Sequence, residues 1–182
     1  MTMRTGLNYK LEYDDLANFP DDGYRYELLD GDLMMTPAPN PRHQEVCGRL
    51  YLQLVAYFQP RGGRVFFAPL DMILTKRDVF QPDLLVVTDP ALITNRAVEG
   101  APAIAVEVLS PSTADRDRTA KPARYAALGV RHYWIVDPDR RRMECYRERG
   151  GTYELVVEGE GSALLDQPDW PGLTIDLGQL WS

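Results

Sequence analysis

A chain of 182 residues, with 45% hydrophobic and 26% charged side chains, has the size and apolar content of one globular domain with its own core. Its net charge of −7 and pI of about 4.9 argue against a protein that grips nucleic acid by broad, sequence-independent basic contacts. They leave room for an enzyme that recruits a phosphate through a metal ion, because the cation offsets local negative charge. The two cysteines, Cys47 and Cys145, form no CxxC pair, so a reducing compartment is expected rather than a disulfide scaffold. The N-terminal stretch has no signal-peptide core, and no apolar run approaches the roughly 20 residues that span a bilayer. A soluble, cytoplasmic protein with no membrane partner is expected.

The first twenty residues read as an entry segment that ends at the turn cluster Pro20-Asp21-Asp22-Gly23. Two apolar runs flank Asp30-Gly31 within residues 24–34, the strongest short-range hairpin signal. The prolines Pro37, Pro39 and Pro41 then break the chain. From Arg42 to Phe58 the apolar positions Val46, Leu50, Leu54 and Phe58 recur at helical spacing, up to Pro60 and Gly62-Gly63. Three strands are expected next, over residues 64–74, 79–88 and 103–109. The last of these is a continuous apolar run, which implies burial on both faces. A helix is expected over 115–128, closed by Gly129, with the serines and threonine of 110–113 as its caps. Strands follow at 132–137, 143–146 and 153–157, and the tail from Leu164 to Trp181 reads as short irregular elements. No internal repeat or low-complexity segment interrupts this order.

Two carboxylates stand out. Glu107 interrupts the apolar run Ala-Ile-Ala-Val-Glu-Val-Leu, and an ionised glutamate is almost never fully buried unless paired or bound to metal. Asp83 follows Pro82 at the head of another apolar strand, where a turn aspartate is the ordinary reading. Adjacent strands would bring the two together, and two close carboxylates repel unless one takes up a proton or a cation joins them. Mg²⁺ or Mn²⁺ would suit such oxygen ligands and retain water that can act as a nucleophile. No Walker loop, GxGxxG, HExxH or GxSxG motif is present. His43-Gln44-Glu45 matches the HxE of zinc deaminases, but no PCxxC follows it.

With these residues stand Tyr26-Glu27-Leu28-Leu29-Asp30-Gly31, Pro41-Arg42-His43, Gln81-Pro82-Asp83-Leu84 and residues 106–113. Asp117, Lys121, Tyr125, Gly129-Val130 and residues 133–138 follow in order. This ordered set resembles the Uma-two family of restriction endonucleases, within the PD-(D/E)XK nuclease superfamily. The resemblance implies an α/β restriction-endonuclease-like fold, a central mixed β-sheet flanked by α-helices. Its motifs run from about residue 24 to 147, and residues 1–182 are expected to form a single nuclease-like domain with that core between an entry segment and a C-terminal extension.

The resemblance also implies roles. Asp83 and Glu107 would bind Mg²⁺ or Mn²⁺ together with the backbone carbonyl of Val108. Leu109 stands where the parent pattern has lysine, which points instead to Lys121 on the following helix. Glu27 would complete the metal site or bind a second ion, or else face solvent on its hairpin. His43 would contact phosphate or act as a base, although capping or packing is the commoner fate of such a histidine. Asp117, four residues before Lys121, would steady it. Pro122 disturbs a helix begun at Asp115, so the helix either starts near Lys121 or bends there. The expected activity is metal-dependent hydrolysis of phosphodiester bonds, in DNA before RNA, by a homodimer. The alternatives are a non-catalytic binding protein that keeps the fold and serves a protein partner, and a hydrolase of another phosphate ester. No methyltransferase or specificity domain ties the chain to a restriction system.

Overall fold

The computed structural model describes residues 9–182. The first eight residues of the expected entry segment lie outside the described residues, and the rest of that segment holds a short 3₁₀ turn at Tyr13–Asn18. Strands β1 (Arg25–Leu29) and β2 (Asp32–Thr36) form the expected hairpin. Asp30 (φ 50°) and Gly31 (φ 76°) both lie in the left-handed region, as a two-residue hairpin turn of this hand requires. A Cβ at Gly31 would stand 2.7 Å from that of Lys10, so glycine is needed there for space as well. Helix α1 (Pro41–Phe58) starts with Asn40 accepting the His43 N–H and with Pro41 in its first turn, where a missing donor costs nothing.

Two of the three expected strands are each two. Residues 64–74 divide into β3 (Arg64–Phe67) and β4 (Met72–Thr75), and residues 79–88 into β5 (Asp78–Phe80) and β6 (Leu84–Val87). Pro69 and Pro82 sit in the breaks, where a residue without an N–H ends one ladder and lets the chain enter another sheet. Strands β7 (Val98–Glu99) and β8 (Ile104–Val108) follow, and β8 is buried at every position, as its apolar run implies. The single helix expected over 115–128 is α2 (Ala114–Arg118) and α3 (Ala120–Ala127), joined at the non-helical Thr119. Pro122 thereby falls in the first turn of α3, where it is tolerated. No side chain caps α2, contrary to the role expected of residues 110–113; Ser110 bonds instead to Ser112 and Thr113 through their hydroxyls.

Strands β9 (His132–Asp137), β10 (Arg142–Arg149) and β11 (Thr152–Glu160) complete the larger sheet. The tail is regular rather than irregular: β12 (Leu164–Asp166) pairs with β13 (Thr174–Asp176), and α4 (Leu177–Trp181) follows.

The six-stranded sheet runs β11-β10-β9-β8-β6-β3, with β8 and β9 parallel and the other neighbours antiparallel. A five-stranded sheet runs β2-β1-β5-β4-β7. Because side chains alternate along a strand, the larger sheet carries two cores. Leu84, Val86, Ile104 and Val106 pack with Leu50, Leu54 and Phe58 of α1 and Leu177 and Leu180 of α4. Leu85, Val87 and Ala105 face the other way, toward Met72 and Phe80 of the smaller sheet and Tyr125 of α3. The fold is thus a mixed α/β architecture with mixed sheets flanked by helices, as expected.

Candidate active site

Strand β6 pairs antiparallel with β8 through Leu84 and Val106, which sets Asp83, one residue before β6, beside the end of β8. The Val108 N–H donates to Asp83 Oδ2 at 2.9 Å. His43, in the first turn of α1, brings Nε2 to 3.1 Å from the same oxygen and 3.0 Å from the Val108 carbonyl oxygen. Both partners are acceptors, so this ring nitrogen carries the proton that it shares between them. Arg25 on β1 donates to Asp83 Oδ1 at 3.0 Å and to the Gln81 carbonyl at 3.2 Å. Burial would raise the Asp83 pKa, but the His43 bond and charge, with Arg25 and the Val108 N–H, hold it below the ordinary carboxylate value.

A second cluster adjoins the first. Lys121 Nζ donates to Glu107 Oε1 at 2.8 Å and lies 3.1 Å from Glu27 Oε1 and 3.5 Å from Asp117 Oδ1. The α2–α3 break positions this lysine: α3 starts at Ala120, so Lys121 and Tyr125 lie one turn apart on the face over the sheet. The Tyr125 hydroxyl donates to Glu107 Oε1 at 3.1 Å. Glu27 also accepts the Gln81 N–H at 2.9 Å. All six expected side chains, Glu27, His43, Asp83, Glu107, Asp117 and Lys121, are at most 5% exposed, so none is a solvated surface group.

One ammonium cannot satisfy three carboxylates equally. Burial pushes Glu107 up to about 8, and Asp117 and Asp83 add repulsion that Lys121 only partly offsets. Asp117 is raised for the same first reason, and its Oδ1 has no hydrogen-bond partner among the described residues. Burial acts on Glu27 too, but Lys121 and the Gln81 N–H bond outweigh it and lower its pKa. Desolvation opposes the charge on Lys121, yet the three carboxylates raise its pKa, so it stays an ammonium.

The donor set fits a divalent cation. An octahedral ion with ligands at about 2.0–2.1 Å has neighbouring ligands about 3 Å apart. That is the separation of His43 Nε2 from Asp83 Oδ2 and from the Val108 carbonyl oxygen. Among the described residues, the one group of three or more His, Cys, Asp or Glu side chains whose ligand atoms all lie within 4.8 Å of one another is His43, Cys47 and Asp83. Glu107 stands outside that group and is held by Lys121. A cavity of about 200 Å³ joins the clusters, lined among others by Asp83, Glu107, Val108, His43 and Lys121.

Sequence reasoning did not single out Arg25 or the Tyr125 hydroxyl as site groups. Arg25 was findable, because it lies two residues before Glu27 on β1 and so shares its face. Tyr125 lies four residues after Lys121, the spacing of one helix face.

Comparison with known proteins adds to this geometry. No curated protein matches the sequence. A crystal structure from Anabaena variabilis ATCC 29413, titled as a "putative nuclease belonging to DUF820", shares the fold with a TM-score of 0.75. It is 20% identical, over 94% of this chain and 97% of that one. A family model described as "Putative restriction endonuclease" matches residues 11–178. The chain therefore belongs to the Uma2 family.

Proposed function

We propose that this protein is a divalent-metal-dependent endonuclease that hydrolyses phosphodiester bonds in DNA, and that residues 1–182 form one such domain. The observation that carries the reading is that His43 Nε2 lies 3.1 Å from Asp83 Oδ2 and 3.0 Å from the Val108 carbonyl oxygen, beside a buried glutamate–lysine pair. Asp83, the Val108 carbonyl and His43, its Nε2 giving up the proton that it shares in the metal-free site, would hold the ion, with Glu107 entering its shell. A bound Mg²⁺ or Mn²⁺ supplies Lewis acidity toward a phosphate oxygen and lowers the pKa of a bound water.

The chain's own residues carry the remaining tasks. Lys121, kept charged by its carboxylates, would orient the attacking water and offset charge on the pentacovalent phosphate. Asp117 and Glu27 hold the lysine together with Glu107. The Tyr125 hydroxyl keeps Glu107 Oε1 turned toward the lysine. Arg25 fixes Asp83 and adds a cation at the cavity wall. The imidazole favours Mn²⁺ over Mg²⁺ relative to a purely oxygen site.

The test is nicking of supercoiled plasmid by purified protein with Mn²⁺ or Mg²⁺, beside Asp83→Ala. Cutting that needs the metal and disappears in the variant supports the reading. Cutting that persists in the variant refutes the site. A second reading, a binding protein that keeps the fold, draws on the net charge of −7. Metal binding by calorimetry without any cutting would favour it.

A further inference from the structure

A second cavity, of about 340 Å³, is also lined by Asp83 and His43. It shares Arg25, Ala38, Pro39, His43 and Asp83 with the cavity of the metal and lysine clusters. Its other walls are largely apolar. Helix α1 lays Cys47, Gly48 and Tyr51 along it, one and two turns beyond His43, and Phe67 closes it from the end of β3. Phe67 meets Tyr51 edge to face, with ring centroids 5.3 Å apart, yet remains 61% exposed. Its strand pairing sets it opposite Leu84, next to Asp83. An aromatic ring this open, beside a candidate scissile centre, has a free face for stacking.

Gly48 is the second, independent observation. It lies inside α1, where glycine is the poorest helix former after proline. No turn or positive φ asks for glycine there, and an added Cβ would meet nothing within 4 Å. Neither backbone nor packing explains the missing side chain, and Gly48 lines the cavity.

We propose that this cavity receives an unpaired nucleobase next to the scissile phosphate, so that the substrate is single-stranded or locally melted DNA. The inference rests on the nuclease reading and extends it. A volume of about 340 Å³ is at the small end of ligand sites and suits one planar heterocycle. Phe67 supplies the stacking platform, the Gln44 amide on the rim offers a donor and an acceptor to a base edge, and Arg25 lies between base and phosphate sites. The net charge of −7 makes the same point from the other side. A chain without an electrostatic grip on duplex backbone needs another source of affinity, and stacking supplies it for unpaired bases.

The probe is a short single-stranded DNA carrying 2-aminopurine, whose fluorescence falls on stacking, titrated into wild type, Gly48→Leu and Phe67→Ala, with cleavage followed in parallel. Melting by circular dichroism checks that Gly48→Leu, which improves helix propensity, still folds. The expected result is quenching by the wild type, weakened about tenfold or more in affinity by either variant, and weaker binding of the same strand in duplex. Quenching without cleavage by any protein would keep the base pocket and sink the nuclease reading. No quenching by wild type, or equal quenching by folded Gly48→Leu, overturns the pocket, whether or not the protein cuts.

Discussion

Helix α3 carries two cations to buried carboxylates, Arg124 to Asp78 and Lys121 to Glu107, and the two pairs are built differently. Asp78 is saturated. Arg124 bonds both of its oxygens at 2.6 and 2.7 Å, Thr75 donates at 2.6 Å and the Asp30 N–H at 3.0 Å. Burial opposes its charge, but these bonds win and hold its pKa below the ordinary value. At Glu107 both donors, Lys121 and Tyr125, fall on Oε1, and no donor reaches Oε2 among the described residues. There burial wins and the pKa rises to about 8. A carboxylate whose valences are filled locks strand to helix; one left under-satisfied beside a cavity is poised for a ligand.

The largest effects should separate the pairs by activity. Lys121→Met should lower DNA cleavage about 10²–10³-fold, the usual cost of one group that stabilises transition-state charge. Its substrate KM should change little, which single-turnover and steady-state rates would show. Arg124→Met should leave cleavage per folded molecule unchanged. Equal losses in the two variants would erase the distinction.

Stability should then separate them in the opposite sense. Asp78→Ala leaves Arg124 and the Asp30 N–H without their acceptor. Breaking a buried ion pair costs about 3–5 kcal/mol, and because Arg124 is a third exposed, about 2–3 kcal/mol is expected by urea unfolding. Glu107→Gln should cost far less and should stabilise metal-free protein at alkaline pH.

The remaining effect is in the pH dependence, measured in chelator. A folded pKa of about 8 at Glu107 exceeds its unfolded value of 4.5, so the native state binds the extra proton between them. Stability is therefore greatest below about pH 4.5 for this group and declines as pH rises toward 8. Glu107→Gln should remove that decline, so its stability should stay level between about pH 4.5 and 8 where that of the wild type falls. The lowered pKa of Asp78 has the opposite sign: its contribution is complete above the ordinary value of 3.8 and is lost as pH falls through its lower folded value.

Much of this contrast could be read before the structure. Glu107 announced itself because a charge inside a five-residue apolar strand has few physical explanations. Asp83 needed its neighbour, and only strand adjacency joined them. Lys121 was harder, since helical phase depends on where α3 begins, and Pro122 marks that start within a turn. The sheets were less legible. Residues 64–74 and 79–88 look continuous in hydrophobicity, while the exchange between sheets occurs at residues 68–71 and 81–83, where period-two patterning carries no information. Asp78 passed unnoticed because a turn aspartate next to Arg77 looks solvated, and its burial depends on Arg124, 46 residues away. The placement of His43 beside Asp83 and the Val108 carbonyl was equally hidden, since these partners come from β8 and the segment before β6, not from its own helix.

The most direct measurement is DNA cleavage with Mn²⁺ by Glu107→Gln and Asp78→Ala beside wild type, each corrected for its folded fraction. The account predicts metal-dependent cutting by wild type and Asp78→Ala, and none by Glu107→Gln despite a fold at least as stable at alkaline pH. Cutting by Glu107→Gln at the wild-type rate would contradict it, and the under-satisfied glutamate would then be no more than a tolerated defect of the core.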